Sequence, residues 1–285
     1  MGDYKLPFAS IKNDLLQLDY LTTTGPRIVG LYAKGVEGNL LAETPDVHWP
    51  SKQGEFYLRG GHRLWVSPED EEYICPEDDM KVIEEKDRLI LRSGVDISGI
   101  EKEIVIRLEN DSVHLSHKLT WHKNEPVELA SWGITQLRLG GLGILPLPSV
   151  EGLLPDRNLV LWPYTKFEDD RLMLHNDMFL LRGTGKDHAC KIGTLNTHGW
   201  IACAMGDVLF TKRFDVDATA TYLDRGCNVE AYVKDACIEL ENLSAVKKLN
   251  KGDSVTHDEI WQVTPGNFPA TVETARSIMK QFNKN

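Results

Sequence analysis

Two adjoining stretches of regular alternation constrain this chain more than any other feature. From Glu101 to Leu108, Ile104, Ile106 and Leu108 alternate with Glu103, Val105 and Arg107. From Ser112 to Trp121, Val113, Leu115, His117, Leu119 and Trp121 alternate with His114, Ser116, Lys118, Thr120 and, just beyond, His122. A period of two places successive side chains on opposite faces of a pleated backbone, so each run reads as a half-buried β-strand. Asn110-Asp111 between them is a tight-turn pair. Together they predict a long hairpin.

Similar short runs follow along the chain. Arg27 to Tyr32, Asn39 to Ala42, Arg88 to Arg92, Asn158 to Trp162, Lys191 to Gly193, Trp200 to Met205, Leu209 to Phe214, Asn228 to Val233, Cys237 to Leu243 and His257 to Val263 all read as strands. Gly25-Pro26 and Val36-Glu37-Gly38 supply turn signals. Many short strands at close spacing predict an all-β sandwich rather than an α/β wind. Two segments read as helical: Ser10 to Leu18, and Thr271 to Phe282, where Val272, Ala275, Ile278, Met279 and Phe282 recur near helical spacing. With 41% hydrophobic and 26% charged residues and no linker-like run, the 285 residues are expected to form one globular domain, 1–285.

Charge and cysteine usage narrow the partners. The net charge of -11, from 32 basic and 43 acidic side chains, repels a phosphate backbone. Lys247-Lys248 and the Lys280/Lys284 tail are too sparse to make a basic patch, so no nucleic acid is expected. Residues Met1 to Leu6 carry no charged region followed by an apolar core, and no apolar run nears the roughly 18 residues of a membrane span. No membrane partner is expected. Cys75, Cys190, Cys203, Cys227 and Cys237 are odd in number and lack a CxxC pair, which predicts free thiols in a reducing cytoplasm. No oligomeric state follows from the sequence.

Chemistry concentrates in two places. Leu58-Arg59-Gly60-Gly61-His62-Arg63-Leu64-Trp65 crowds two guanidinium groups, an imidazole and an indole around a double glycine. Arginine offers forked donors to vicinal hydroxyls or phosphate, and tryptophan an apolar face to sugar C–H groups. The alternative is a glycine-tight hairpin with solvated arginines. The second cluster runs from Asp224 to Leu243. There Asn228, Glu230 and Tyr232 share one strand face, and Cys237, Glu239, Glu241 and Leu243 share another. Neighbouring carboxylates raise one another's pKa, which suits a general base. The alternative is a solvent-facing ion-pair network with Lys191, Lys212 or Arg213. Lys191 and Lys212 occupy strand positions that can point inward, and Trp162-Pro163-Tyr164 can wall a pocket. His114, His117 and His122 do not assemble a metal set, since His114 and His122 lie too far apart and no carboxylate completes them. No metal and no cofactor are expected.

Three stretches resemble the galactose mutarotase-like (aldose 1-epimerase-like) superfamily. They are Thr24 to Glu43, the Arg59 to Trp65 turn, similar to that of the hexose-6-phosphate branch, and Glu239 to Trp261, similar to the closing strands. The resemblance implies a large antiparallel twisted β-sandwich, a supersandwich, with a short C-terminal helix and a sugar pocket on its concave face. It implies ring opening in which a glutamate takes the anomeric hydroxyl proton and a histidine protonates the ring oxygen. On that pattern Glu241 matches the base and Arg59 the arginine of the turn. The pattern departs at the histidine: Trp132 stands near its expected place, leaving His62 as the substitute acid. Arg59, Arg63 and Lys212 would then bind hydroxyls or a phosphate, over a floor of Trp65 and Trp132, with Asp224, Asn228, Glu230 and Glu239 around them. The expected partner is a small sugar or sugar phosphate. Two rival readings are a non-catalytic sugar-binding module on the same fold and a carbohydrate-active lyase or hydrolase domain. All of these require the double-glycine bend and the late acidic strand to face one another across a shared hollow.

Overall fold

The computed structural model describes residues 6–149 and 152–282; the N-terminal residues 1–5 read above and the tail around Lys284 lie outside them. Two ten-stranded antiparallel sheets stack face to face. The first runs in the order Phe8–Lys12, Leu16–Leu21, Arg27–Ala33, His62–Ser67, Val127–Leu137, Ile238–Leu243, Val229–Val233, Cys190–Thr194 and Val160–Leu161, with Lys247–Leu249 beside Val127–Leu137. The second runs Leu172–Leu174, Met178–Arg182, Leu142–Pro146, Trp200–Ala204, Gly206–Phe214, Ser254–Phe268, Ser112–Trp121, Ile100–Glu109, Leu89–Ser93 and Met80–Glu84.

The alternation read from sequence is the alternation observed. Ile104, Ile106, Val113, Leu115 and Leu119 point between the sheets, where Leu18, Ile28, Leu31 and Leu64 of the first sheet meet them. Each such fully buried aliphatic side chain contributes about 1.5–3 kcal/mol. The hairpin closes through Asn110 at φ 53, with Ser112 opposite Glu109. The terminal helix, Val272–Phe282, lays Ala275, Ile278 and Met279 on the outer face of the second sheet against Leu142, Ile144, Leu180 and Ala202. Thr271 caps it through a 3.2 Å hydrogen bond from the Thr274 N–H.

Three local expectations are corrected. Ser10 to Leu18 is not helical but the junction of the paired strands Phe8–Lys12 and Leu16–Leu21. Asn13 turns the chain by accepting from the Leu15 and Leu16 N–H groups at 2.9 and 2.8 Å, and pairing then outweighs a weak helical spacing. Asn39 to Ala42 forms only a single bridge, Leu41 to Leu137, because the Asn39 side chain serves the backbone groups that a ladder would use. Asn158 to Trp162 shortens to Val160–Leu161.

Several strands were not expected, among them Val127–Leu137, Leu142–Pro146 and Met178–Arg182; the unexpected element that bears on the site is a two-stranded hairpin, Glu43–Ser51 with Gly54–Gly60. It folds over the outer face of the first sheet, with Phe56 set 5.1 Å from Trp65. Its return into the sheet passes through three left-handed residues, Arg59, Gly60 and Gly61, at φ 64, 80 and 70. A Cβ on Gly61 would stand 1.9 Å from the Ile28 carbonyl oxygen, and on Gly60 2.2 Å from that of Ala42. The double glycine is thus demanded by backbone crowding.

Candidate functional site

Strand parity builds a hollow on the outer face of the first sheet. The alternation that sends Val229, Ala231, Ile238 and Leu240 into the core turns Glu230, Tyr232, Glu239 and Glu241 the other way. From neighbouring strands come Arg63, Trp132, Ile134, Gln136 and Lys191. The unexpected hairpin supplies Val47, Trp49 and Leu58 as one wall, and Tyr164 stands opposite. The hollow measures about 330 Å³, at the small end of the roughly 300–1,000 Å³ of small-molecule sites.

Its charges are arranged in two groups. The Lys191 ammonium lies 2.6 Å from Glu230 Oε2 and 2.9 Å from Glu241 Oε2. It also sits over Trp132 at 4.6 Å and Trp162 at 4.4 Å. Burial alone would depress this ammonium, yet the two carboxylates hold it well above its ordinary value. Burial pushes Glu230 well above the usual carboxylate range despite Lys191, and raises its neighbour Asp224 as well. The second group is Glu239, whose Oε1 accepts from Gln136 Nε2 at 2.6 Å and faces Arg63 Nη1 at 3.8 Å. Burial, reinforced by Glu241 and opposed by Arg63, pushes Glu239 up to about 7.

Several polar atoms lining this space have no hydrogen-bond partner within the protein: Arg63 Nε and Nη1, Trp132 Nε1, Gln136 Oε1 and Glu241 Oε1. Donors and acceptors are mixed. Buried polar atoms are otherwise almost always paired, so such a cluster marks where a polar ligand can dock.

The residues picked from sequence divide between this hollow and the interior. Arg63, Trp132, Glu239 and Glu241 line the hollow, and Glu230 and Asp224 support it from behind. Trp65 lies on the same face but is covered by Phe56, with the Arg63 guanidinium 5.3 Å from its ring. Arg59 sits beside Tyr57 on the hairpin, its guanidinium 4.9 Å over that ring, and does not line the hollow. Asn228 is buried as a loop clamp, bonded to the Asn196 backbone N–H at 2.7 Å and carbonyl at 2.8 Å.

His62 and Lys212 point the other way, between the sheets. His62 Nε2 lies 2.7 Å from His117 Nε2, and its Nδ1 2.9 Å from the Thr135 hydroxyl. Lys212 donates to the Gly133 and Leu240 carbonyls at 3.1 and 3.2 Å and pairs with Glu259 at 3.0 Å. The expected acid role of His62 and binding role of Lys212 therefore have no geometry in the hollow, because both side chains carry the inward parity of their strands. Among the described residues His62, His117 and Glu259 group like metal ligands. Their arrangement is that of a hydrogen-bonded network: nitrogens sharing one tetrahedral ion stand roughly 3.3 Å apart, and Lys212 already neutralises the carboxylate. Assigning His117 Nδ1–H to the His257 carbonyl at 3.2 Å lets His117 Nε2 accept from His62 and His62 accept from Thr135.

Sequence reasoning passed over Gln136, Trp49 and Leu58, and gave Lys191 and Tyr164 only secondary places. Lys191 did carry a signal, a lone cation inside an otherwise apolar run. Glu259 carried one too, since Val255, His257, Glu259, Trp261 and Val263 share one parity.

Two stacked antiparallel sheets with a short terminal helix make a β-sandwich of the galactose mutarotase-like fold. Structural likeness makes this explicit. A galactose mutarotase-like protein from Lactobacillus casei ATCC 334 matches with a TM-score of 0.56 at 8% identity, over 90% of this chain and 100% of that one. A candidate aldose 1-epimerase from Escherichia coli K12 gives 0.53 at 11% identity, over 91% and 99%. A TPR-domain containing protein from Parabacteroides distasonis gives 0.62 at 11% identity, over 93% of this chain and 48% of that one. At such identities the likeness is one of fold. Neither a family sequence model nor a curated protein sequence matches the chain.

Proposed function

We propose that this protein binds a sugar in the hollow between Trp132 and the Glu43–Gly60 hairpin and interconverts its anomers by ring opening. The observation that carries the reading is the mixed set of unpaired donors and acceptors, Arg63, Trp132, Gln136 and Glu241, on a wall of aromatic rings. A sugar hydroxyl both donates and accepts, so a polyol can satisfy each of these atoms, while its C–H face lies on Trp132, Trp49 or Tyr164. Two carboxyl groups, Glu239 and Glu241, stand in the same hollow, where ring opening needs a proton-transfer group. The mutarotase-like fold supports the same chemistry. The sugar is taken free or as a phosphate, Arg63 being the guanidinium in reach of either.

No helix among the described residues is long and apolar enough to cross a membrane. All five cysteines are free and buried, which supports a reducing, cytoplasmic compartment.

Titration calorimetry with glucose, galactose, mannose and their 6-phosphates tests binding, and NMR exchange between anomers tests catalysis. Saturable binding with faster exchange is the expected outcome. Binding that leaves the exchange rate at that of buffer assigns a non-catalytic sugar module instead, and reducing ends released from polysaccharide assign a hydrolase or lyase. Absence of binding to every sugar sinks the saccharide reading.

A further inference from the structure

The hollow poses a chemical problem. Ring opening needs one proton removed from the anomeric hydroxyl and one delivered to the ring oxygen, and no histidine lines this space. His62, next to Arg63, faces the opposite side of the sheet, and His48, between Val47 and Trp49, pairs with Glu55 instead. Lys191 is a poor donor, because Glu230 and Glu241 at 2.6 and 2.9 Å hold its proton. Tyr164 and Tyr232 are no better, both phenols being raised far above neutrality by burial. One group remains. Glu239 retains 7% of its surface, lines the hollow, and takes both its Gln136 and its Arg63 contacts on Oε1. The Gln136 N–H donor and the Arg63 cation make Oε1 the carbonyl-like oxygen and leave the proton to Oε2.

Resting on the ring-opening reading above, we propose that Glu239 alone performs both proton transfers, its two carboxyl oxygens acting at once as acid and base. In opening, Oε2–H gives its proton to the ring oxygen as the bond from that oxygen to the anomeric carbon breaks. Oε1 takes the proton of the anomeric hydroxyl as the C=O bond of the open aldehyde forms. A carbonyl-type oxygen has two lone pairs, so Oε1 accepts this proton beside the Gln136 N–H. The carboxyl is left protonated on its other oxygen. After the aldehyde rotates, the reverse transfers close the ring and restore Glu239. Nothing is oxidised, reduced or consumed. Burial maintains a protonated share of this carboxyl up to about pH 7, the state the cycle requires. Glu241, ion-paired to Lys191 at 2.9 Å, then binds hydroxyls as a fixed anion.

The test is anomer exchange by NMR for glucose, galactose and their 6-phosphates with the full chain, across pH 5 to 9. The acceleration is expected to fall on a single limb as pH rises through about 7, since the protonated carboxyl is the active form. Glu239→Gln is expected to lose at least about 100-fold of the acceleration while retaining a cooperative unfolding transition. Glu241→Gln is expected to weaken sugar binding and to move the pH midpoint downward, because Glu241 helps to raise Glu239, while the profile keeps its single limb. A bell-shaped profile, or Glu239→Gln keeping the wild-type rate while Glu241→Gln loses it, overturns the single-carboxyl mechanism and leaves the ring-opening function standing. A wild-type protein that accelerates no sugar overturns both.

Discussion

Glu239 and Lys191 show how burial sets chemistry one residue at a time. The Glu239 carboxyl titrates near its ordinary value, about 4.5, in the unfolded chain and at about 7 in the folded one. Its folded pKa is the higher, so the cost of holding it ionised is absent below about pH 4.5, grows between the two values and is complete above 7. Glu239→Gln is therefore expected to raise stability at pH 8, by up to about 3.4 kcal/mol given the rise from about 4.5 to about 7, and to change it little at pH 4. Urea denaturation at the two pH values checks this. An equal effect at both would show that the carboxylate carries no such cost. Lys191 works in the opposite sense. Lys191→Met leaves Glu230 and Glu241 buried without their cation, and a loss of about 3–5 kcal/mol is expected in the same assay. Parity made Glu239 and Glu241 readable as a pair sharing one face. Lys191 was legible only as one of three possible partners, beside Lys212 and Arg213, because it lies 50 residues from Glu241 in the chain.

At the scale of elements, the outcome followed the strength of the local signal. The Ser112–Trp121 strand and its hairpin partner were legible because ten residues of alternation leave one consistent way to bury Val113, Leu115 and Leu119. The terminal helix was legible for the same reason at another period, and Met279→Ala is expected to cost about 2–4 kcal/mol through the cavity it opens beneath the helix. The Glu43–Gly60 hairpin was missed. Its exposed pattern over Val47 to Pro50 carries no alternation, and its order comes from packing Phe56 on Trp65 and from Arg27 reaching the Leu58 carbonyl at 3.0 Å. Because that hairpin walls the hollow, its hinge is a sensitive point. Gly61→Ala is expected to cost more than about 3 kcal/mol, combining a left-handed backbone with a Cβ at 1.9 Å from the Ile28 oxygen. A urea midpoint at the wild-type value would show that the hinge relaxes freely.

The whole molecule balances two sets of buried titrating groups. His62 and His117 are depressed by burial, as is His257, to about 4. Each is neutral when folded and charged at about 6.5 when unfolded, so its contribution is complete above 6.5 and declines as pH falls. Glu239, raised by burial to about 7, changes in the opposite sense over pH 7 to 4.5, and Glu230 and Asp224, raised likewise, act in the same direction. Below about 4.5 they bind their protons in both states and no longer compensate. There the histidines continue to favour the unfolded chain. Glu259, held low by Lys212 against its burial, and Glu77, held low by Arg27 against its own, join them. Stability is thus expected to be nearly level between pH 7 and 5 and to fall steeply below 4.5. A guanidinium series at pH 7, 5 and 3.5 measures it, and a steady decline beginning at pH 7 would contradict the balance.

By itself, the sequence determined which side chains travel together: a period of two commits Glu230 with Tyr232, and Cys237 with Glu239 and Glu241, to common faces. It could not say which face is which where both are covered. The Ile238–Leu243 strand is buried throughout, and His62 and Arg63 differ by one residue yet end on opposite sides of the sheet. Only stacking the second sheet on one face and folding a hairpin over the other decided that His62 joins the core and Arg63 the hollow. The physical reason is that parity is a local property of the backbone, whereas the identity of a face depends on contacts between strands far apart in the chain.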